Sequence, residues 1–146
     1  ALGTYNDPFM RSGLLFAAGG NMVQNRNVHE YNRDEGILTA SEVATLNLPS
    51  PLVIMSACET GRGESKVGEG VYGLQTAFLL AGADALLMSL FKVDDNATQE
   101  LMRIFYHKWK ETGDKRTAIR EAKRELRQNP KYVEPIYWGA FVMIGR

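Results

Sequence analysis

Leu52-Val53-Ile54-Met55-Ser56-Ala57 runs without a charge and leads directly into Cys58-Glu59-Thr60-Gly61, the start of a glycine-rich polar loop that reaches Gly70. An unbroken apolar run of strand length suits a strand covered on both faces, as in a parallel sheet. Downstream, Val71–Ala81 has apolar residues at helical spacing and stops at Gly82, a favoured residue just past a helix end. Ala83–Phe91 reads as a second strand. Asp94-Asp95-Asn96 then offers N-caps for a helix from Ala97 to about Thr112, ended by Gly113. Another helix fits Asp114–Arg127 and closes at Asn129-Pro130. Pro135–Ile144, with three aromatics, reads as a final strand.

Upstream of the same run, residues 1–13 are loop-like, with Asn6-Asp7-Pro8 as a turn signal. Leu14–Ala18 is a short strand ended by Gly19-Gly20. Residues 21–36 are polar and rich in Asn, which fits an exposed loop or a hairpin tip, with Ile37–Leu38 as the return strand. Thr39 or Ser41 can cap a short helix through Leu46, with Glu42 in its first turn, and Pro49 and Pro51 close it. Strand, helix, strand, helix, helix, strand is the order of an α/β fold with a parallel core. No internal repeat or second domain is visible, so residues 1–146 are read as one unit.

Composition narrows the function classes. Of 146 residues, 45% are hydrophobic and 23% charged, an ordinary balance for a globular chain. No apolar run is long enough to span a membrane. Seventeen basic and seventeen acidic side chains cancel, which argues against a direct nucleic-acid binder. One cysteine excludes an internal disulfide and points to a reducing, cytoplasmic setting. Charge is uneven, however: Arg103–Lys131 holds ten Lys or Arg against four Asp or Glu. That stretch is either a pair of solvated amphipathic helices or a docking face for an acidic partner.

In open parallel sheets, sites form at the carboxyl ends of strands. Cys58 stands there, beside a loop whose backbone N–H groups can hold an oxyanion. The alternative is a small buried apolar residue. The loop Gly61–Gly70 either orders over a bound peptide or remains a solvated connection. No cofactor is called for: there is no Walker-type loop, and no His, Cys, Asp and Glu cluster has the spacing of metal ligands. Gly68-Glu69-Gly70-Val71-Tyr72-Gly73 matches a dinucleotide fingerprint, but its first Gly does not directly follow the strand. Asn96-Ala97-Thr98 matches a glycosylation acceptor and is better explained by helix capping.

Ser56-Ala57-Cys58-Glu59-Thr60-Gly61, Gly68-Glu69-Gly70, Val93-Asp94-Asp95 with Thr98, and Tyr137-Trp138 with Phe141 occur in the order shown by the CHAT domain family of caspase-like peptidases, which the chain resembles over essentially its whole length. Arg11-Ser12-Gly13-Leu14 and Asp34–Ala40 fit the same pattern. The resemblance implies a caspase-like α/β/α sandwich with a mainly parallel sheet, incomplete in this chain, so that residues 1–146 form the C-terminal, Cys-bearing part of one peptidase domain. It implies Cys58 as the nucleophile of a cysteine endopeptidase cutting a protein substrate. Bacterial, cytoplasmic, regulated proteolysis and a possible regulatory partner come with that implication. The rival is a non-catalytic interaction module of the same fold.

The family's catalytic histidine lies in a His-Gly pair, at the end of the strand before the Ser-Gly-Leu segment. That point falls before Ala1. His29 is followed by Glu30, and His107 lies within a helix between Tyr106 and Lys108. The expected base therefore comes from an N-terminal chain or segment. Residues i and i+2 of a strand share a face, so Ser56 is expected beside Cys58 in the substrate pocket. Ser89, Leu90 and Phe91 are expected to form another, mostly apolar wall. Asp94 either lends the pocket acidity or caps the next helix. Ser56 brings no countercharge, so the residue before the cut is expected to be uncharged, Leu or Met.

Overall fold

The computed structural model describes Phe9 and residues 12–16, 36–55 and 69–146, with the backbone alone at residues 69–72. The elements are β1 (Gly13–Leu15), β2 (Ile37–Thr39), α1 (Ala40–Ala44), β3 (Val53–Met55), α2 (Glu69–Leu80), β4 (Ala85–Ser89), α3 (Asp95–Thr112), α4 (Lys115–Leu126) and β5 (Phe141–Gly145), with 3-10 turns at Pro130–Tyr132 and Pro135–Tyr137. This is a mixed α/β chain. The described residues fall into two compact units. One holds Phe9 and residues 12–16, 36–53, 69–86 and 145–146; the other holds 54–55 and 87–144.

In the first unit, β1 and β2 pair antiparallel, with Gly13 opposite Thr39 and Leu15 opposite Ile37. The return strand expected at Ile37–Leu38 is therefore present. Thr39, rather than Ser41, caps α1. Its hydroxyl accepts from the Glu42 N–H at 3.2 Å, and the Glu42 carboxylate accepts from the Thr39 N–H at 2.8 Å, a reciprocal capping box. α1 packs on α2, and Val43, Ala77, Phe78 and Ala81 are buried. The Asp84 N–H donates to Ser50 O at 2.9 Å, joining the chain just before β4 to the chain just before β3. Strands that start together and are linked by one helix run parallel.

In the second unit, α3 and α4 form a helical hairpin. Asp94 caps α3, Gly113 ends it with φ of 69°, and Asp114 caps α4. Both helix ends follow the sequence reading closely. α3 buries Ala97, Leu101, Ile104 and Phe105, and α4 buries Ala118, Ile119, Ala122 and Leu126. Each large apolar side chain so buried contributes about 1.5–3 kcal/mol. The Lys123 ammonium donates to the Phe141 carbonyl, fastening α4 to the start of β5.

The three-stranded sheet has the order β3-β4-β5. Two expectations need correction. First, where a mainly parallel sheet was expected, the three described strands form a mixed one. Arg146 N donates to Asp84 O at one end of the β4–β5 pair and Leu90 N to Ala140 O at the other, an antiparallel arrangement. One helix separates β3 from β4, but two in series separate β4 from β5, and the extra helix adds one reversal of direction. Second, the strand covered on both faces is β4, all five of whose residues are buried. Residues Val53–Met55 of β3 are half-buried, because β4 takes the centre of the sheet.

The final strand is also shorter than Pro135–Ile144. Pro135 opens a 3-10 turn, Gly139 N donates back to Pro135 O at 2.6 Å, and β5 begins only at Phe141. Proline fits the first position of such a turn, having a fixed φ and no N–H to satisfy.

Candidate active site

β3 and β4 are parallel neighbours, so their carboxyl ends, Met55 and Ser89, lie on the same side of the sheet. Ser89 is completely buried and offers no surface to a peptide. The chain emerges directly after it: Leu90 is 55% exposed and Phe91 45%. Two large apolar side chains in water beyond a fully buried strand form an apolar lip at the strand's end, where α/β sites are built. Of the expected wall, Leu90 and Phe91 supply surface and Ser89 lies beneath them in the chain's core.

Asp94 has a defined task. Its carboxylate accepts from the Ala97 N–H at 2.8 Å, and its carbonyl accepts from the Thr98 N–H at 2.9 Å. The cap expected of Asp94 is present. The Thr98 hydroxyl, on the same helical turn, is buried and has no hydrogen-bond partner among the described residues.

Ser56, Cys58, His29 and the loop residues 61–68 lie outside the described residues. His107 does not. Its imidazole points to solvent on α3 and lies 3.2 Å from Glu111, four residues on. That is a surface pair of the kind a helix makes with its own next turn. Among the described residues no group of three or more His, Cys, Asp and Glu could hold a metal ion, and no helix is long and apolar enough to cross a membrane.

The dinucleotide motif fails on placement. β3 ends at Met55, while α2 begins at Glu69, so the first glycine, Gly68, does not directly follow β3 as the fingerprint requires. Asn96 lies in the first turn of α3, where Asp94 does the capping.

A feature that the sequence reading caught only as a charge imbalance is the setting of the cations on α4. Arg127 lies 5.8 Å from the centre of the Trp138 ring, and Trp138 Nε1 donates to Val133 O at 3.2 Å. Nothing local to α4 announces Trp138, which returns to it through the turn at Pro135.

The profile of the CHAT domain matches residues 3–146. Tetratricopeptide repeat protein 28 of Homo sapiens is 33% identical over 112 residues, 76% of this chain and 4% of its own length. The protein of the same name from Mus musculus is 28% identical over 111 residues, with the same shares. The chain thus spans about 4% of the length of these curated relatives. No solved structure matches it.

Proposed function

The chain belongs to the CHAT domain family, and on that premise we propose that it is the Cys-bearing, C-terminal part of a caspase-like cysteine endopeptidase. The observation that carries this reading is the position of the motif: Cys58 follows by three residues the end of β3, a strand running parallel to β4. That is where an α/β sheet presents a nucleophile. The domain it would complete is a caspase-like α/β/α sandwich.

The chemistry requires a base. Attack by the Cys58 sulfur on a peptide carbonyl forms the S–C bond of a tetrahedral intermediate while the thiol proton passes to an imidazole. Backbone N–H groups after the strand hold the oxyanion. Collapse expels the amine, which takes the proton, and water then hydrolyses the thioester. A free cysteine, with its pKa near 8.5, is mostly thiol at neutral pH, so pairing with a histidine is needed to generate thiolate. His107 is turned to solvent and paired with Glu111, and His29 is followed by Glu30 rather than Gly, so the base is assigned to a histidine from a chain or segment outside this sequence. Leu90 and Phe91 offer an apolar wall, and the motif residue Ser56 carries no charge, which favours an uncharged residue before the cut.

The His107 placement also supports a second reading, a non-catalytic module that uses the same surface for binding. Labelling the full-length protein with a peptidyl acyloxymethyl ketone, followed by mass spectrometry, separates the two. The peptidase reading requires adduct formation at Cys58, lost when the external histidine is replaced. A thiol no more reactive than a free cysteine supports the module.

A further inference from the structure

Arg120, Lys123, Arg124 and Arg127 follow one another on α4 at i, i+3, i+4 and i+7, so they form one stripe along the helix. Together with Ile119 and Trp138 they line an open groove of about 310 Å³. Seven residues of helix advance about 10 Å, which sets the length of the stripe. The arginines are exposed, and none of the four cations forms an ion pair with a carboxylate among the described residues. Glu125, on the same helix, is turned to Lys108 of α3 at 3.4 Å.

Such a stripe is unfavourable for the helix itself, since like charges three and four residues apart repel. It is also partly preorganised. The Arg127 guanidinium is held over the Trp138 ring, which the bond to Val133 O fixes in turn. Lys123 is half-buried, and its ammonium is anchored on Phe141 O, a neutral acceptor that leaves the charge uncompensated. Burial holds the Lys123 pKa below the ordinary lysine value. A carboxylate brought into the groove would relieve that cost as well as the mutual repulsion of the arginines.

We propose that the groove between α4 and Trp138 is a docking site for a short acidic peptide segment of a partner protein. An extended peptide advances about 3.3 Å per residue, so two carboxylates three residues apart match the stripe. Nucleic acid fits less well: a base needs a bare aromatic face for stacking, and the Trp138 face in the groove carries Arg127. Glu121 and Glu125, on the same helix, also limit the run of positive surface available to a longer polyanion. The proposal is independent of whether Cys58 cleaves anything.

The test is fluorescence anisotropy of the full chain with a fluorescein-labelled hexapeptide Asp-Gly-Gly-Asp-Gly-Gly, whose two aspartates are three residues apart, at about 0.15 M ionic strength. Saturable binding is expected, weakened at least about tenfold both in Arg120→Glu/Arg124→Glu and in the milder Arg124→Gln/Arg127→Gln. Lys110→Glu/Lys131→Glu makes the same charge change as the first pair, outside the groove, and is expected to bind within about twofold of wild type. Circular dichroism melts verify that each variant folds. Equal weakening by the control pair, absence of saturable binding, or tighter binding of a six-nucleotide oligothymidylate than of the peptide would each overturn the proposal.

Discussion

The Leu90 N–H donates to the Ala140 carbonyl at 3.0 Å, so the first residue past β4 is tied to the residue before β5. This bond fixes the backbone from which Leu90 and Phe91 stand out into water, and it makes that apolar lip a built surface rather than a free loop. Leu90→Ser/Phe91→Ser should therefore leave the fold within about 0.5 kcal/mol of wild type, because both side chains are largely exposed. If the proposed peptidase reading holds, the same change should lower kcat/KM for peptides with Leu or Met before the cut by about tenfold, mainly through KM. A peptide library profiled by mass spectrometry reads the preference. Dominant cleavage after Asp would contradict the uncharged pocket.

Asp94 distinguishes a cap from a pocket acid. Asp94→Asn keeps an acceptor for the Ala97 N–H and should melt like wild type, with an unchanged cleavage preference. Asp94→Ala removes the acceptor and should cost about 1 kcal/mol in urea unfolding. A changed preference in Asp94→Asn, with stability intact, would return Asp94 to the pocket.

Much of this was legible because helix ends are written locally. Asp94, Gly113 and Asp114 announce both ends of the α3–α4 hairpin within a few residues of chain. The direction of β5 is written in no single segment; it follows from the two helices between β4 and β5. Three aromatics made Pro135–Ile144 look like strand, although Pro135 opens a 3-10 turn. Leu90 and Phe91 stand out into water while Ser89 is buried, since alternation along a strand does not reveal that β4 lies at the centre of the sheet. Cys58 is singled out by its place after an apolar run and given a role by a resemblance, and the α4 groove is visible only as a surplus of charge, because Trp138 joins it through tertiary packing.

Asp114 gives a pH-dependent contribution of known sign. Hydrogen bonds from the Thr117 side chain and backbone, with help from the Arg116 N–H, hold its carboxyl below its ordinary value of 3.8. A depressed folded-state pKa adds stability that is complete above the ordinary value and is lost as pH falls through the folded one. Thermal melts of wild type and Asp114→Asn should therefore differ by a constant amount from about pH 7 to pH 5 and converge below 3.8. Convergence on raising the pH would contradict the assignment.

Gly145 adopts φ of 98°, and a Cβ there would collide with the Asp84 carbonyl. Its neighbour Arg146 donates its N–H to that same carbonyl at 2.8 Å, so the approach of β5 to the start of β4 leaves no slack. Gly145→Ala should cost about 1–3 kcal/mol in urea unfolding. Wild-type stability in this variant would mean that the β4–β5 pairing is looser than described.

The most direct measurement is turnover of a diverse peptide library by the assembled protein, comparing wild type, Cys58→Ala and His29→Ala. Cys58 is assigned as the nucleophile and the base as a histidine outside this sequence. Cleavage should therefore vanish in Cys58→Ala, with the melting temperature nearly unchanged, and persist within a few-fold in His29→Ala. Retained cleavage in Cys58→Ala would contradict the assignment of the nucleophile, and loss of cleavage in a folded His29→Ala would contradict an external base.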